Sequence, residues 1–139
     1  MQQLNISTGL VTYKLNDACE ITINPTDSLF IEKLYTLFDD LDAKQDDYRA
    51  QISKAGANKA VFGIAREANK ELREMLNKVF GFDICGAVFG EVSVYALADG
   101  VPLWANLLLA LLDAIDESVS GELKKTSNRM LKYTSKYHK

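Results

Sequence analysis

Among the side chains that could bind a metal or take part in catalysis, the carboxylates are the most clustered in this sequence. The stretch FDDLDAKQDD at 38–47 holds five aspartates within ten residues, and Asp113 and Asp116 end a leucine-rich run. A calcium loop needs carboxylates at alternate positions followed by glycine, as in DxDxDG, and that spacing is missing. Acidic runs at helical spacing are more often the solvated outer face of a helix. We therefore predict no metal site.

The possible nucleophiles and general bases also lack the spacing of a catalytic site. The single histidine, His138, is the penultimate residue, a position that frays and does not hold a buried base or a metal ligand. Cys19 and Cys85 form no CxxC or Cys/His group, so we expect both to be reduced and half-buried. No serine stands in a GxSxG motif. The sequence predicts a protein that is not an enzyme and needs no cofactor.

The composition is typical of one globular domain. The chain has 139 residues, of which 47% are hydrophobic and 25% charged, with two prolines. This length allows a real core, and the low proline content favours helices. The N-terminus lacks the basic start and apolar centre of a signal peptide, and the longest apolar run, near 103–112, is shorter than the ~20 residues that span a bilayer. We expect a soluble intracellular protein.

Charge is divided unevenly along the chain. Residues 121–139 carry six Lys or Arg and one acid, whereas the first 120 residues carry ten basic and eighteen acidic side chains. A basic tail can attract nucleic acid, but these charges are spread out and no aromatic and basic platform accompanies them. A solvated terminal helix is the preferred interpretation, and nucleic-acid binding is kept as an alternative.

Alternating apolar residues predict a β-hairpin over 4–24, with a tight turn at Asn16-Asp17 and a third short strand before Gly9. The period then changes to that of a helix, which Thr26 or Asp27 can cap and which runs to about residue 53, where AGAN interrupts it.

A second helix is predicted over 61–80, where a continuous apolar stripe faces a charged side. Gly81 suits the left-handed residue that closes a helix. Asp83 can cap a short helix over 84–89, which Gly90 closes in the same manner. The two VFG tripeptides at 79–81 and 88–90 thus mark the ends of two successive helices, the second of which is short. No phosphate-loop motif accompanies them.

The last third of the chain is dominated by a leucine-rich helix. Residues 91–98 are compatible with either a strand or a helical turn. Asp99-Gly100 predicts a turn, and Pro102 suits the first position of a helix that runs to about residue 117. Gly121 is expected to break the helix before a basic segment over 121–139.

These elements predict an α+β fold, mainly α, in which an N-terminal β-hairpin precedes a compact bundle of about four to five helices. The expected single domain covers 1–120, with the hairpin at 4–24 and the bundle at 27–117. Residues 121–139 form a basic C-terminal helix or tail.

Several stretches resemble a family of small phage tail proteins, described as tail assembly chaperone-like, from phages and prophages of Gram-positive hosts. STGLVTYKLN and ITINPTDSLFIEKLY resemble that family's opening, and REMLNKVFGFDICGAVFG and VPLWANLLLALLDAID resemble its centre and end. The resemblance covers nearly all of 4–117. It implies a cytoplasmic protein of the bacterial host cell that keeps the tape-measure protein, or other unassembled tail subunits such as the tube protein, soluble.

A chaperone of long helical clients needs an apolar helical face rimmed by charges. The candidate partner-binding residues lie on the first helix and on the leucine-rich helix. They are Phe30, Leu34, Leu37, Phe38, Leu41, Trp104, Leu108 and Leu112. Self-association through the first helix is a further expectation.

Two other functions stay open at this point. The acidic body could mimic a nucleic-acid surface and inhibit a host defence protein. The basic segment over 124–139 could bind nucleic acid, in which case binding would fall steeply with salt.

Overall fold

The computed structural model describes residues 1–137, with side chains through residue 125; His138 lies outside them. Within that part, an N-terminal antiparallel hairpin precedes four helices, so the predicted mainly α, α+β fold is confirmed. The elements are β1 Val11–Leu15, β2 Cys19–Ile23, α1 Ser28–Ala55, α2 Ala60–Phe80, α3 Ile84–Phe89, β3 Leu97–Ala98, β4 Val101–Pro102 and α4 Leu103–Tyr137.

The N-terminal hairpin places its apolar side chains on one face. Val11 pairs with Ile23 and Leu15 with Cys19, so alternate residues turn inward, and Ile21 is only 6% exposed. On this inner side the hydroxyl of Tyr13 lies 3.2 Å from that of Ser118 in α4. The hairpin is therefore tied to the helical layer by apolar burial and one hydrogen bond.

The prediction of a third strand before Gly9 is wrong. Residues 1–10 have no strand partner, and Gly9 adopts a φ of 69°, a left-handed value that an extended strand does not contain. The amide of Asn24 donates to the carbonyl of Thr8 at 3.0 Å. We call residues 1–10 the N-terminal arm.

Local capping signals place the helix ends. The carboxylate of Asp27 accepts from the Leu29 amide at the start of α1, and that of Asp83 accepts from the Gly86 amide at the start of α3. Gly81 closes α2 in the left-handed conformation. Gly90 closes α3 with a φ of 59° and a ψ of −129°, which differs from the left-handed closure that was expected.

The residues before α4 confirm the predicted turn but not the predicted start of the helix. Asp99-Gly100 is the two-residue turn of a small hairpin in which Ala98 pairs with Val101. Pro102 belongs to β4, so α4 begins one residue later than predicted. Because Pro102 offers no side-chain cap, backbone carbonyls of the preceding segment accept from the first amides of the helix, Val94 from Trp104 among them at 3.2 Å.

The expected helix break at Gly121 is wrong, because α4 continues through it to Tyr137. An isolated glycine in an exposed helix costs only about 1 kcal/mol relative to alanine. Gly121 is exposed, and a Cβ built there would meet nothing within 4 Å. The residues assigned to a separate C-terminal segment, as far as Tyr137, are thus the continuation of α4.

The core lies where α1, α2 and α4 meet under the hairpin. Leu34 and Leu41 of α1, Leu72 and Leu76 of α2, and Leu108 of α4 are each 0% exposed. Among the α4 residues up to 125, Ile115 is the last in this buried cluster, and half-buried Val119 packs against the cluster. One continuous apolar cluster therefore joins all the main elements.

Candidate interaction surfaces

The partner-binding residues predicted from the sequence are in the core. Leu34, Leu37, Leu41, Trp104 and Leu108 are at most 5% exposed. Phe30, Phe38 and Leu112 are half-buried and packed against the same cluster. The apolar stripes that predicted a client-binding face thus contribute mostly to the apolar cluster that α1, α2 and α4 share.

Trp104 shows how fully these side chains are used inside the chain. Its indole N–H donates to the side-chain oxygen of Gln45 at 2.7 Å, and its ring meets that of Phe38 edge-to-face at 5.3 Å. Gln45 is itself 9% exposed. This buried polar pair joins α1 to α4, and the sequence pattern gave no reason to expect it from a glutamine within an acidic run.

Polar side chains of α2 hold residues 81–95, which contain the short helix α3 and which we call the connecting segment. The oxygen of Asn69 accepts from the Val94 amide at 2.9 Å. The guanidinium of Arg73 donates to the Gly90 carbonyl at 2.8 Å and to the Val92 carbonyl at 2.5 Å. Arg73 belongs to the charged side of α2, is half-buried, and bonds the connecting segment from there.

The start of the connecting segment is bonded in the same way by Asn77. Its amide donates to the Asp83 carboxylate at 2.9 Å, and its oxygen accepts from the Cys85 amide at 3.1 Å. Burial raises the pKa of the Cys85 thiol to about 11, so the thiol stays protonated at neutral pH. Spacings of four residues between Asn69, Arg73 and Asn77 are the sequence signal that could have revealed one polar face.

An open groove of about 460 Å³ runs along the first half of α1 beside the end of α2. Its apolar residues are Leu29, Leu37 and Val79. Its polar residues are Glu32, Lys33, Thr36 and Asp40. Leu29 is 70% exposed although it is a large apolar side chain. We call this surface the α1 groove; of the eight predicted partner-binding residues, Leu37 lies in it.

A second groove, of about 340 Å³, lies beside β2. Residues 20–23 of the strand line one side. The other side is aromatic and aliphatic: Phe30, Val79, Phe80 and Phe82. The Phe30 and Phe80 rings meet edge-to-face at 6.4 Å, and Phe82 is 38% exposed. We call this surface the β2 groove.

A polar groove between α1 and α2 has a different character. Tyr48 and Tyr95 stack with ring centroids 4.4 Å apart, and Lys44 pairs with Glu71 at 2.6 Å. Burial raises the pKa of Tyr95 to about 12, so its hydroxyl is protonated at neutral pH. The aromatic contact joins α1 to the residues after α3. The ion pair joins α1 to α2 at the surface, where such a pair is worth little by itself.

Neither a cluster of metal ligands nor a membrane-spanning helix occurs among the described residues. In that part of the chain, no group of three or more His, Cys, Asp or Glu side chains converges on a point where a metal ion could be held. None of the helices there combines the length and the apolarity needed to cross a bilayer.

Over the described residues, the fold and these surfaces define a mainly α protein with an apolar core, a largely apolar α1 groove, a β2 groove of mixed polarity and an exposed N-terminal arm. Comparisons with protein-family models, with curated proteins and with solved structures found no match for the chain.

Proposed function

We propose that the chain is a non-enzymatic, chaperone-like protein whose α1 groove binds an amphipathic helix of an unassembled phage tail subunit. The observation that carries this proposal is the α1 groove itself. It leaves Leu29 70% exposed beside Leu37 and Val79, and charged side chains surround these apolar residues. A charged rim around an apolar floor is the arrangement that accepts a helix with one apolar face.

The length of the α1 groove suits a helix of about three turns. Its residues span positions 29–40 of α1, which at 1.5 Å per residue is roughly 17 Å. A partner helix laid along it would present apolar residues at i, i+3 or i+4, and i+7. Complete burial of Leu29 would contribute about 1.5–3 kcal/mol to binding before the costs of association.

Charges on the rim favour a particular kind of partner face. Glu32 and Asp40 outnumber Lys33 along the α1 groove, so lysine or arginine beside the partner's apolar stripe would be preferred. The sequence resemblance to tail assembly chaperone-like proteins supports a tape-measure protein, which is a long helical client, or a tail tube protein as the source of that helix. Binding before assembly would take place in the cytoplasm of the bacterial host.

Co-expression with tail proteins tests the proposal. The tagged chain is expressed together with the tape-measure and tail tube proteins encoded beside it, and soluble complexes are purified and sized by light scattering. Leu29→Asp should lower the recovery of the client about tenfold, which corresponds to about 1.4 kcal/mol of binding. The melting temperature of the Leu29→Asp variant should stay near that of the wild type, because the Leu29 side chain is already mostly exposed.

Leu109→Asp is the matched control. Leu109 lies on α4 and is 40% exposed, so the change introduces the same charge on another exposed apolar site away from the α1 groove. The control should bind the client as the wild type does. Equal losses in both variants, or no soluble complex with any tail protein, would overturn the proposal; retention of a defined basic host protein in their place would favour the host-inhibitor alternative.

A further inference from the structure

The N-terminal arm exposes more large apolar side chains than any other short stretch of the described chain. Leu4 is 82% exposed, Ile6 79% and Leu10 59%. Leu4 and Ile6 alternate with the polar residues Gln3, Asn5 and Ser7. When such a segment is extended, its apolar residues project to one side and its polar residues to the other. The arm thus has the pattern of a strand with one face to bury.

The outer edge of β2 offers a place where such a strand could bind. Within residues 1–137, β2 pairs with β1 alone, so the backbone groups of its other edge have no strand partner. The β2 groove lies beside this strand, since four consecutive residues, 20–23, line it. A groove lined by consecutive strand residues follows the strand's edge rather than one face, because a face presents only every second residue.

From this complementarity we infer that the N-terminal arm of one copy adds as a strand to the β2 edge of a second copy, so that the chain self-associates by arm exchange. Strand addition satisfies backbone donors and acceptors on both partners, and alternate side chains enter pockets beside the edge. Leu4 and Ile6 would then fill the β2 groove against Phe82, while Gln3 and Asn5 stay in water.

Charge favours the arm over other segments of the chain as the occupant. The arm contains no Asp, Glu, Lys or Arg, and Glu20 is the one such residue lining the β2 groove. A neutral strand enters a groove with an aromatic and aliphatic wall without the desolvation cost that a charged segment carries. The lysine-rich end of α4, by contrast, would bring several charges to it.

A second copy is required because the arm does not cover the β2 groove of its own chain. Its apolar residues are exposed in the single chain. The arm leaves the hairpin at Gly9, whose φ of 69° turns the backbone, and Asn24 holds the Thr8 carbonyl at 3.0 Å. The same arrangement presents the arm to solvent, where another molecule can bind it.

Light scattering after size-exclusion chromatography tests arm exchange on the full chain, without any client. The mass should rise with concentration from the 15.5 kDa of one chain to twice that value for reciprocal exchange, or to higher multiples for a ring. The double variant Leu4→Asp/Ile6→Asp should stay at the single-chain mass. Gln3→Asp/Asn5→Asp places the same charges on the alternate positions and should associate as the wild type does.

A mixing experiment tests the receiving surface. Phe82→Asp alters the β2 groove and should also give a single-chain mass, whereas Leu97→Asp, at a 71% exposed position, should not. Mixing Phe82→Asp with Leu4→Asp/Ile6→Asp leaves one intact arm and one intact groove, so the pair should form a complex of twice the single-chain mass. Circular dichroism shows whether each variant is folded. If Phe82→Asp does not fold, the masses of the two arm variants alone test arm exchange.

Three results would overturn arm exchange. They are a single-chain mass for the wild type at every concentration, dissociation of the Gln3→Asp/Asn5→Asp control, and failure of the two complementary variants to associate. The inference goes beyond the proposed chaperone function and is independent of it. A failure of client binding through Leu29 would leave the mass measurements unchanged, and a monomeric wild type would leave client binding intact.

Discussion

Two regions of this protein lack long regular elements, and they are held in opposite ways. The connecting segment 81–95 is fixed to α2 by hydrogen bonds that Arg73 donates and that Asn69 and Asn77 accept. Ile84, Cys85 and Val94 in it are 0% exposed. One hydrogen bond, from the Asn24 amide to the Thr8 carbonyl, joins the N-terminal arm, residues 1–10, to the other residues whose side chains are described, and the arm keeps its apolar side chains exposed.

This difference shows that the connecting segment satisfies its polar and apolar groups within the chain and that the N-terminal arm does not. Buried polar groups of the connecting segment find their partners within the chain, so its conformation contributes to stability. The arm leaves apolar surface and strand-like backbone uncovered, and such a segment gains by binding another molecule. Stability and interaction are therefore expected to separate between the two regions.

The largest expected effect compares two isoleucines. Ile84→Ala should lower the free energy of unfolding by about 2–5 kcal/mol, because it leaves a cavity beneath the connecting segment. Ile6→Ala should change it by less than about 0.5 kcal/mol, because the side chain is exposed in the single chain. Urea unfolding at a concentration low enough for the single chain measures both. Comparable losses would mean that the arm is part of the folded core.

Two asparagines give the next comparison. Asn69→Ala removes the acceptor of the buried Val94 amide and should cost about 1–3 kcal/mol, since that donor is left without a partner. Asn5 bonds only Gln3 at the surface, so Asn5→Ala should be nearly neutral. Hydrogen exchange adds a local reading, because the Val94 amide should lose protection in Asn69→Ala and keep it in Asn5→Ala.

Two glycines should respond with opposite signs. Gly81 has a φ of 79° where α2 enters the connecting segment, so Gly81→Ala should destabilise the chain by about 1–2 kcal/mol. Gly121 lies inside the continuous α4 with open space around it, so Gly121→Ala should stabilise it by up to about 1 kcal/mol. Thermal unfolding measures both, and a destabilising Gly121→Ala would contradict the uninterrupted helix.

The smallest effect is confined to acid pH. The Gly86 amide, and after it the Asn77 side chain, hold the pKa of Asp83 below its ordinary value of 3.8. Stability from this cap is therefore complete above the unfolded pKa and is lost as the pH falls through the lowered folded pKa. Urea unfolding against pH should show this loss in the wild type and not in Asp83→Asn. An unchanged pH profile in that variant would remove Asp83 as its source.

Features governed by local chemistry could be predicted from the sequence. Asp27, Asp83 and Gly81 act on amides or on a backbone angle within a few residues, so their roles follow from short stretches. Gly121 was misjudged because the helical preference of its neighbours outweighs one glycine. The strand before Gly9 was misjudged because alternation alone does not supply a partner.

The surfaces could not be predicted in the same way, because they depend on contacts between distant parts of the chain. Periodicity finds an apolar helical face but does not say whether another element of the same chain covers it, and the stripes around Phe38 and Trp104 are covered. The bonds from Arg73 to the carbonyls of Gly90 and Val92 join residues about twenty positions apart. The open α1 groove becomes visible only after α2 is placed beside Leu29.

Trp104 is the only tryptophan of the sequence, so the fluorescence of the chain at tryptophan-selective excitation comes from one known place. Its ring is 2% exposed and its N–H is bonded to Gln45 between α1 and α4. Separation of these helices would bring the indole into water and shift its emission to longer wavelength. The chain thus carries an intrinsic optical reporter of helix docking, which follows unfolding without a label and without altering either groove.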